Sequence, residues 1–212
     1  MVDSGTWRVV VPVKGGGGAK TRLALPPGPR LALATAMALD CLDAALRCAA
    51  VGRVVCVSDD PRVRAAATGV GAQALPAGGP GLARAVDAGL AALPPGPTAV
   101  LVADLPALRP HDLGAALDAA AAHPGTVLVT DADGDGSVLV ARRDGPPAHR
   151  FGPGSAAAHR AAGAHPLTAA LVSLRRDVDT LEALREATAL GVGPRTAAVL
   201  RGAALPLTPC AS

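Results

Sequence analysis

Short apolar runs rich in β-branched residues alternate along the chain with longer stretches of helical period, and Gly/Pro clusters separate them. Arg8 to Val13 (RVVVPV) reads as a strand, followed by a Gly-rich loop from Lys14 to Arg22. Arg30 to Ala50 has the length and period of a helix. Arg53 to Ser58 (RVVCVS) is a second strand, and Pro61 opens a short helix to Thr68, where a first turn needs no N–H donor. Gly71 to Leu75 reads as a strand, Gly78 to Gly81 as a loop, and Leu82 to Leu93 as a helix broken by Pro94-Pro95-Gly96-Pro97. Thr98 to Ala103 is a buried strand ending at Asp104, and Pro110 to His123 is helical. Thr126 to Thr130 and Ser137 to Arg142 are strands around the acidic turn Asp131 to Gly136. Beyond Arg143 the pattern loosens: a loop from Pro146 to Gly154, a helix from Ser155 to Ala162, a strand from Leu167 to Leu174, and a last helix from Leu181 to Leu190. The tail beyond Arg201 reads as loose.

Strands apolar on both faces, alternating with helices, predict an α/β fold with a mostly parallel central sheet flanked by helices. The 212 residues fit one domain, 1–212, with a core from about 7 to 201 and no long linker or internal repeat. Half the residues are hydrophobic, so a substantial core is expected rather than disorder. Trp7 and Phe151 are the only aromatics and the net charge is +3, which disfavours nucleic-acid partners: stacking platforms need several aromatics and backbone binding needs more charge. The most apolar long run, Leu31 to Val51, carries Asp40, Asp43 and Arg47, too many charges for a membrane span. Met1 to Arg8 has no apolar h-region, so no signal peptide is expected and a cytoplasmic location is. Cys41, Cys48, Cys56 and Cys210 show no metal-ligand spacing and read as small hydrophobes of a reducing compartment.

Of the 20 basic residues only Lys14 and Lys20 are lysine, and both flank Gly15-Gly16-Gly17-Gly18. In a chain that otherwise uses arginine, two ammonium groups around a glycine run point to a phosphate-handling loop, joined by Arg22. It is not a P-loop, because Ala19 stands where glycine would precede Lys20, and it lacks GxGxxG in register. Ligands of parallel sheets gather at the carboxyl ends of strands, and four polar features fall there: Lys14 to Arg22, Asp59-Asp60, Asp104, and Asp131 to Ser137. Asp104, with Asp177 and Asp179 further on, supplies carboxylates for a hard cation such as Mg²⁺. Simpler roles compete: Asp112 and Asp179 are each placed to cap a helix, and Ser155 to cap its own. Asp131, Asp133, Asp135 and Gly136 mimic the start of a calcium loop, but its twelfth position is Arg142. Of the five histidines, only His159 lies near other candidate residues. Phe151 to Ser155 places free N–H groups and a hydroxyl at a helix start, suited to an anion.

These residues resemble a known family, the guanylyltransferases of coenzyme F420 biosynthesis (CofC/FbiD). The stretches that carry the likeness are VPVKGGGGAKTRLA, ADLPAL, DADGDGSVLV, FGPGSAAAHRAAGA, LRRDVDT and LGVGPRT, in order from Val11 to Thr196. The resemblance implies a single-domain nucleotidyltransferase fold, Rossmann-like and of the GT-A kind. It implies transfer of GMP from GTP to the phosphate of phosphoenolpyruvate, with pyrophosphate leaving. Other acceptors are 2-phospho-L-lactate, 3-phosphoglycerate or a sugar phosphate; a different class is an inactive nucleotide-binding partner protein. On this alignment Lys14, Lys20 and Arg22 hold the triphosphate, and Asp104, Asp177 and Asp179 bind Mg²⁺. Ser137, Gly152 and Ser155 contact phosphoenolpyruvate. An ionised phosphate needs no general base, and the product is suited to hand-off to a downstream transferase of the same pathway. The oligomeric state is left open. The sequence departs from the family pattern at Ser137, where threonine is usual, at Asp135 beside it, at Ala83 in place of asparagine, and in its four-glycine run.

Overall fold

Strands whose two faces are both apolar can only be satisfied in the middle of a layered structure, and that is how the strong strands are used. The structure, a computed structural model, describes residues 6–15, 20, 23 and 25–202. Its seven-stranded sheet is built from β1 (Trp7–Pro12), β2 (Val51–Val57), β3 (Gln73–Leu75), β4 (Thr98–Leu101), β5 (Val127–Thr130), β6 (Ser137–Arg142) and β7 (His165–Pro166). The order is β3-β2-β1-β4-β6-β5-β7, with β6 alone running against its neighbours. Val9 and Val11 of β1 face a core shared with helices α1 (Pro27–Leu46), α2 (Pro61–Gly69) and α4 (Pro110–Ala122). Val10 faces the opposite layer, under α3 (Leu82–Ala91). A short helix, α5 (Ser155–Ala161), lies over β5, and α6 (Val172–Arg175), α7 (Leu181–Leu190) and α8 (Pro194–Gly202) follow.

Two elements depart from the sequence reading. The expected strand from Leu167 to Leu174 is a two-residue strand, His165–Pro166, then a bend and α6. Its pairing with β5 ends when Leu167 N–H donates to the Leu128 carbonyl. Asp112 then holds α6 by accepting from Ser173 N–H at 3.0 Å and the Ser173 hydroxyl at 2.6 Å. Asp112 therefore ties α6 to α4 and does not cap its own helix, whose N-cap Arg109 makes no side-chain capping bond. The second departure is α8, unforeseen in a stretch with Gly191, Gly193 and Pro194. It starts on Asp40, a buried acid in mid-α1 that accepts from Thr196 N–H at 2.8 Å, Arg195 N–H at 3.2 Å and the Arg195 guanidinium at 3.3 Å.

No helix among the described residues is long and apolar enough to cross a membrane. Cys41, Cys48 and Cys56 are buried free thiols, as expected. Burial, partly offset by Arg64, pushes Cys56 up to about 12, which leaves it an inert thiol. Cys210 lies outside the described residues.

Candidate functional site

Chain reversal in the sheet order at β1, with β2 on one side and β4 on the other, opens a crevice beyond the strand ends. A cavity of about 1050 Å³ lies there, lined by Lys14, Lys20, Asp59, Asp60, Asp104 and Asp179 among other residues. Much of its wall is apolar, from Val13, Val57, Ala77, Leu82 and Ala85, which suits a flat base beside a charged phosphate end. Asp59 shapes one wall by accepting from the N–H groups of Ala77, Gly78 and Gly79 at 2.9, 3.0 and 3.2 Å. Asp60 caps α2 through Arg62 N–H at 2.9 Å. Gly15 passes so close that a Cβ there would lie 2.2 Å from the Asp60 Cβ.

At the charged end the Lys20 ammonium donates to the carboxylates of both Asp104 and Asp179, the latter at 2.5 Å. Burial alone would lower the Lys20 pKa, but the two carboxylates outweigh it and hold the ammonium above the ordinary lysine value. A single backbone bond explains how residues 75 positions apart meet: Val178 N–H donates to the Asp104 carbonyl at 3.0 Å. Val178 itself is fully buried between Asp177, which is half-buried, and Asp179, which is exposed. Asp179 is thereby at the site and does not cap α7, where Thr180 accepts from Ala183 N–H at 3.1 Å. Burial, reinforced by the Asp104, Asp131 and Asp179 carboxylates and only partly relieved by Lys20, pushes the Asp177 carboxyl up to about 7. Asp104 keeps one buried oxygen, Oδ1, with no hydrogen-bond partner among the described residues. Among the described residues no three His, Cys, Asp or Glu side chains stand grouped for a metal ion, since Lys20 lies between two of the candidate carboxylates.

The remaining candidate residues, Ser137, Gly152 and Ser155, do not line this cavity and are grouped at the start of β6 and α5. Because β6 is antiparallel to β4, with Leu139 opposite Leu101, its first residue Ser137 lies at the same end of the sheet as Asp104. The turn leading into it is fixed by Asp131, which accepts from Gly134, Asp135 and Gly136 N–H groups at 2.6, 3.0 and 2.6 Å. A carboxylate spent on three backbone donors accounts for the calcium-loop mimicry as a turn anchor. Ser137 Oγ lies 2.8 Å from His159 Nδ1, and Ala156 N–H donates to the Asp135 carbonyl at 3.1 Å, joining α5 to this turn. Gly154, in the left-handed conformation, is the N-cap of α5, so Ser155 stands at the first helical position, buried, and caps nothing. Gly152, at φ 143°, sits where an L side chain would be strained, and its carbonyl accepts from Ser155 N–H at 3.1 Å.

The structure thus assembles Lys14, Lys20, Asp104 and Asp179 around one cavity, sets Asp177 within their field, and groups Ser137, Gly152 and Ser155 through α5. Arg22 and Gly16 to Gly18 lie outside the described residues. Ala83 is exposed on the first turn of α3, and Asp135 is exposed in its turn. Sequence reasoning gave no role to His159, though its place in the FGPGSAAAH stretch was the available signal.

The MobA-like NTP transferase domain matches residues 17–196 of this chain. A protein of Thermomonospora curvata named phosphoenolpyruvate guanylyltransferase is 50% identical over 202 residues, covering 92% of this chain and 88% of its own. One of the same name from Salinispora arenicola is 50% identical over 205 residues, covering 94% and 95%. Among solved structures, one described as a nucleotide-diphospho-sugar transferase of Desulfovibrio desulfuricans superposes with a TM-score of 0.65 at 19% identity, covering 92% of this chain and 94% of that one, a likeness of fold. With the strand order, the crevice at its reversal and the matched length taken together, the chain belongs to the MobA-like NTP transferase family of nucleotidyltransferases.

Proposed function

We propose that this chain is a phosphoenolpyruvate guanylyltransferase of the cytoplasm, one nucleotidyltransferase domain that joins GMP from GTP to the phosphate of phosphoenolpyruvate and releases pyrophosphate. The product would be enolpyruvyl-2-diphospho-5'-guanosine, an intermediate of coenzyme F420 biosynthesis. The observation that carries the reading is the charge arrangement at the cavity mouth: Lys20 between Asp104 and Asp179, with Lys14 on the rim. The relatives named above support the choice of donor and acceptor.

The carboxylate chemistry of Asp104 and Asp179 suits a hard divalent cation, although these side chains are not grouped as a three-ligand set among the described residues. Asp104 has a buried oxygen without a partner among the described residues, Asp177 is crowded by carboxylates, and an ammonium already stands between Asp104 and Asp179. Asp104, Asp177 and Asp179 would hold Mg²⁺, which when bound offsets the negative charge of the phosphates. Lys14 and Lys20 bind the triphosphate and neutralise charge developing on the departing pyrophosphate, with Arg22 assigned to the same task by resemblance. Ser137, Gly152 and Ser155 position the acceptor so that an ionised phosphate oxygen faces the α-phosphorus. No residue is needed to remove a proton, and positioning carries the rate.

Asp104→Asn tests the reading. The variant keeps the shape of the side chain and loses its charge, so kcat should fall at least about a hundredfold, a loss of the size seen when one electrostatic stabiliser is removed. Circular dichroism and GTP affinity should stay near wild type. Turnover within about threefold of wild type would remove Asp104 from its role.

A further inference from the structure

His159 carries no role in the reading above, yet it is the most completely enclosed polar side chain near the acceptor residues. Its two ring nitrogens face different partners. Nε2 lies 2.7 Å from the backbone nitrogen of Arg150, which can only donate, so Nε2 must be the unprotonated nitrogen. Burial, with the positive charge of Arg150 and the neighbouring His149 opposed by the Ser155 carbonyl, lowers the ring's pKa and keeps it neutral. A neutral ring with Nε2 accepting carries its proton on Nδ1, and Nδ1 points to Ser137 Oγ at 2.8 Å.

The consequence falls on Ser137. A hydroxyl that accepts from the imidazole cannot also donate to it, so the Ser137 proton must be offered in another direction. With the opposite tautomer the hydroxyl would donate into the ring and present a lone pair to an incoming anion. The edge of Phe151 against the ring, with centroids 5.1 Å apart and planes at 73°, fixes the imidazole from a third side. One histidine therefore couples the start of β6, the first turns of α5 and the backbone at Arg150, two residues before Gly152.

We propose that His159 is the positioning residue of the acceptor half-site: its tautomer, locked by the Arg150 N–H, turns the Ser137 hydroxyl into a donor for the anionic acceptor and holds the 150–152 backbone beside it. The inference rests on the reading of Ser137 and Gly152 as acceptor contacts. It adds that acceptor affinity, and not nucleotide affinity, depends on a ring that touches neither substrate.

Three replacements separate the two bonds. Asn places a donor near the Nδ1 position, Gln places an acceptor near Nε2, and Phe keeps the ring without either. His159→Phe should raise the phosphoenolpyruvate KM at least tenfold and leave the GTP KM within twofold. His159→Asn should recover part of that loss, and the recovery should vanish in a Ser137→Ala background. A phosphoenolpyruvate KM unchanged in the Phe variant overturns the proposal, as does a parallel rise in both KM values. Long-range ¹⁵N–¹H NMR of the ligand-free wild type reads the tautomer without any turnover. A proton on Nδ1 is expected, and a proton on Nε2 overturns the inference even if phosphoenolpyruvate proves to be the wrong acceptor. Wild-type turnover separately decides the acceptor itself.

Discussion

Replacing Asp40 by alanine should destabilise the protein strongly by freeing α8, which starts some 155 residues further along the chain. The carboxylate is buried in the middle of α1 and receives three donors from the start of α8, two of them backbone N–H groups. Loss of a helix N-terminal acceptor costs about 1 kcal/mol, and loss of a hydrogen bond to a charged group costs about 1.5–3 kcal/mol. Both terms come from one carboxylate and do not add fully. Alanine also returns about 0.6 kcal/mol of helix propensity to α1. The net cost is about 2–3 kcal/mol, which in a chain of this size lowers Tm by roughly 5–10 °C. Asp40→Asn keeps one acceptor oxygen and should cost about half as much. Differential scanning calorimetry on both variants measures this, with the GTP KM of the remaining folded enzyme as control. An alanine variant within about 0.5 kcal/mol of wild type would refute the reasoning, because α8 would then stand without its cap.

Other outcomes follow from the same geometry. Gly89→Ala places a Cβ 2.4 Å from Val10 Cγ1 and 2.9 Å from Val57 Cγ2, so urea unfolding should show a loss of about 1–2 kcal/mol despite the gain in helix propensity. Ser155→Ala should raise the acceptor KM about tenfold and leave GTP binding unchanged by calorimetric titration; an unchanged acceptor KM removes Ser155 from the site. The lowered pKa of His159 has a pH signature. The unfolded chain binds its proton near the ordinary value of about 6.5, while the native ring among Ser137, Ser155, His149, Arg150 and Phe151 resists. Stability from this group is therefore complete above about pH 6.5 and declines as pH falls below it, by at most about 1.4 kcal/mol per pH unit. His159→Gln should flatten the pH dependence of Tm between pH 7 and 5, and an identical slope would contradict the assignment.

β1, β2, β4 and β5 were readable because their buried runs are apolar on both faces, and three of the four polar strand ends, the Lys14 loop, Asp59-Asp60 and Asp104, line one cavity, while Asp131 to Ser137 is not part of its lining. Asp104 was readable for the same reason, as a carboxylate closing a buried run. What escaped was settled by contacts distant in sequence. α8 looks like a loop in GVGPRT and becomes a helix because Asp40, some 155 residues earlier, receives its first N–H groups. The one clue was an acid inside the most apolar stretch of the chain. Leu167 to Leu174 has the composition of a strand, but Asp112 pulls Ser173 into a helical turn and pairing stops at Leu167. Asp179 had the spacing of a helix cap, and only the bond from Val178 to Asp104 turns it toward Lys20. His159 was visible as a neighbour of candidate residues, but which nitrogen is protonated depends on Arg150 N–H, a backbone group no composition reveals.

The most direct measurement is pyrophosphate release by the purified protein with Mg²⁺ and GTP, comparing phosphoenolpyruvate, 2-phospho-L-lactate and 3-phosphoglycerate, with ATP as control donor. The account predicts release with GTP and phosphoenolpyruvate together, and none when ATP replaces GTP. Pyrophosphate released with another acceptor but not with phosphoenolpyruvate, or no release at all while GTP still binds, would contradict it.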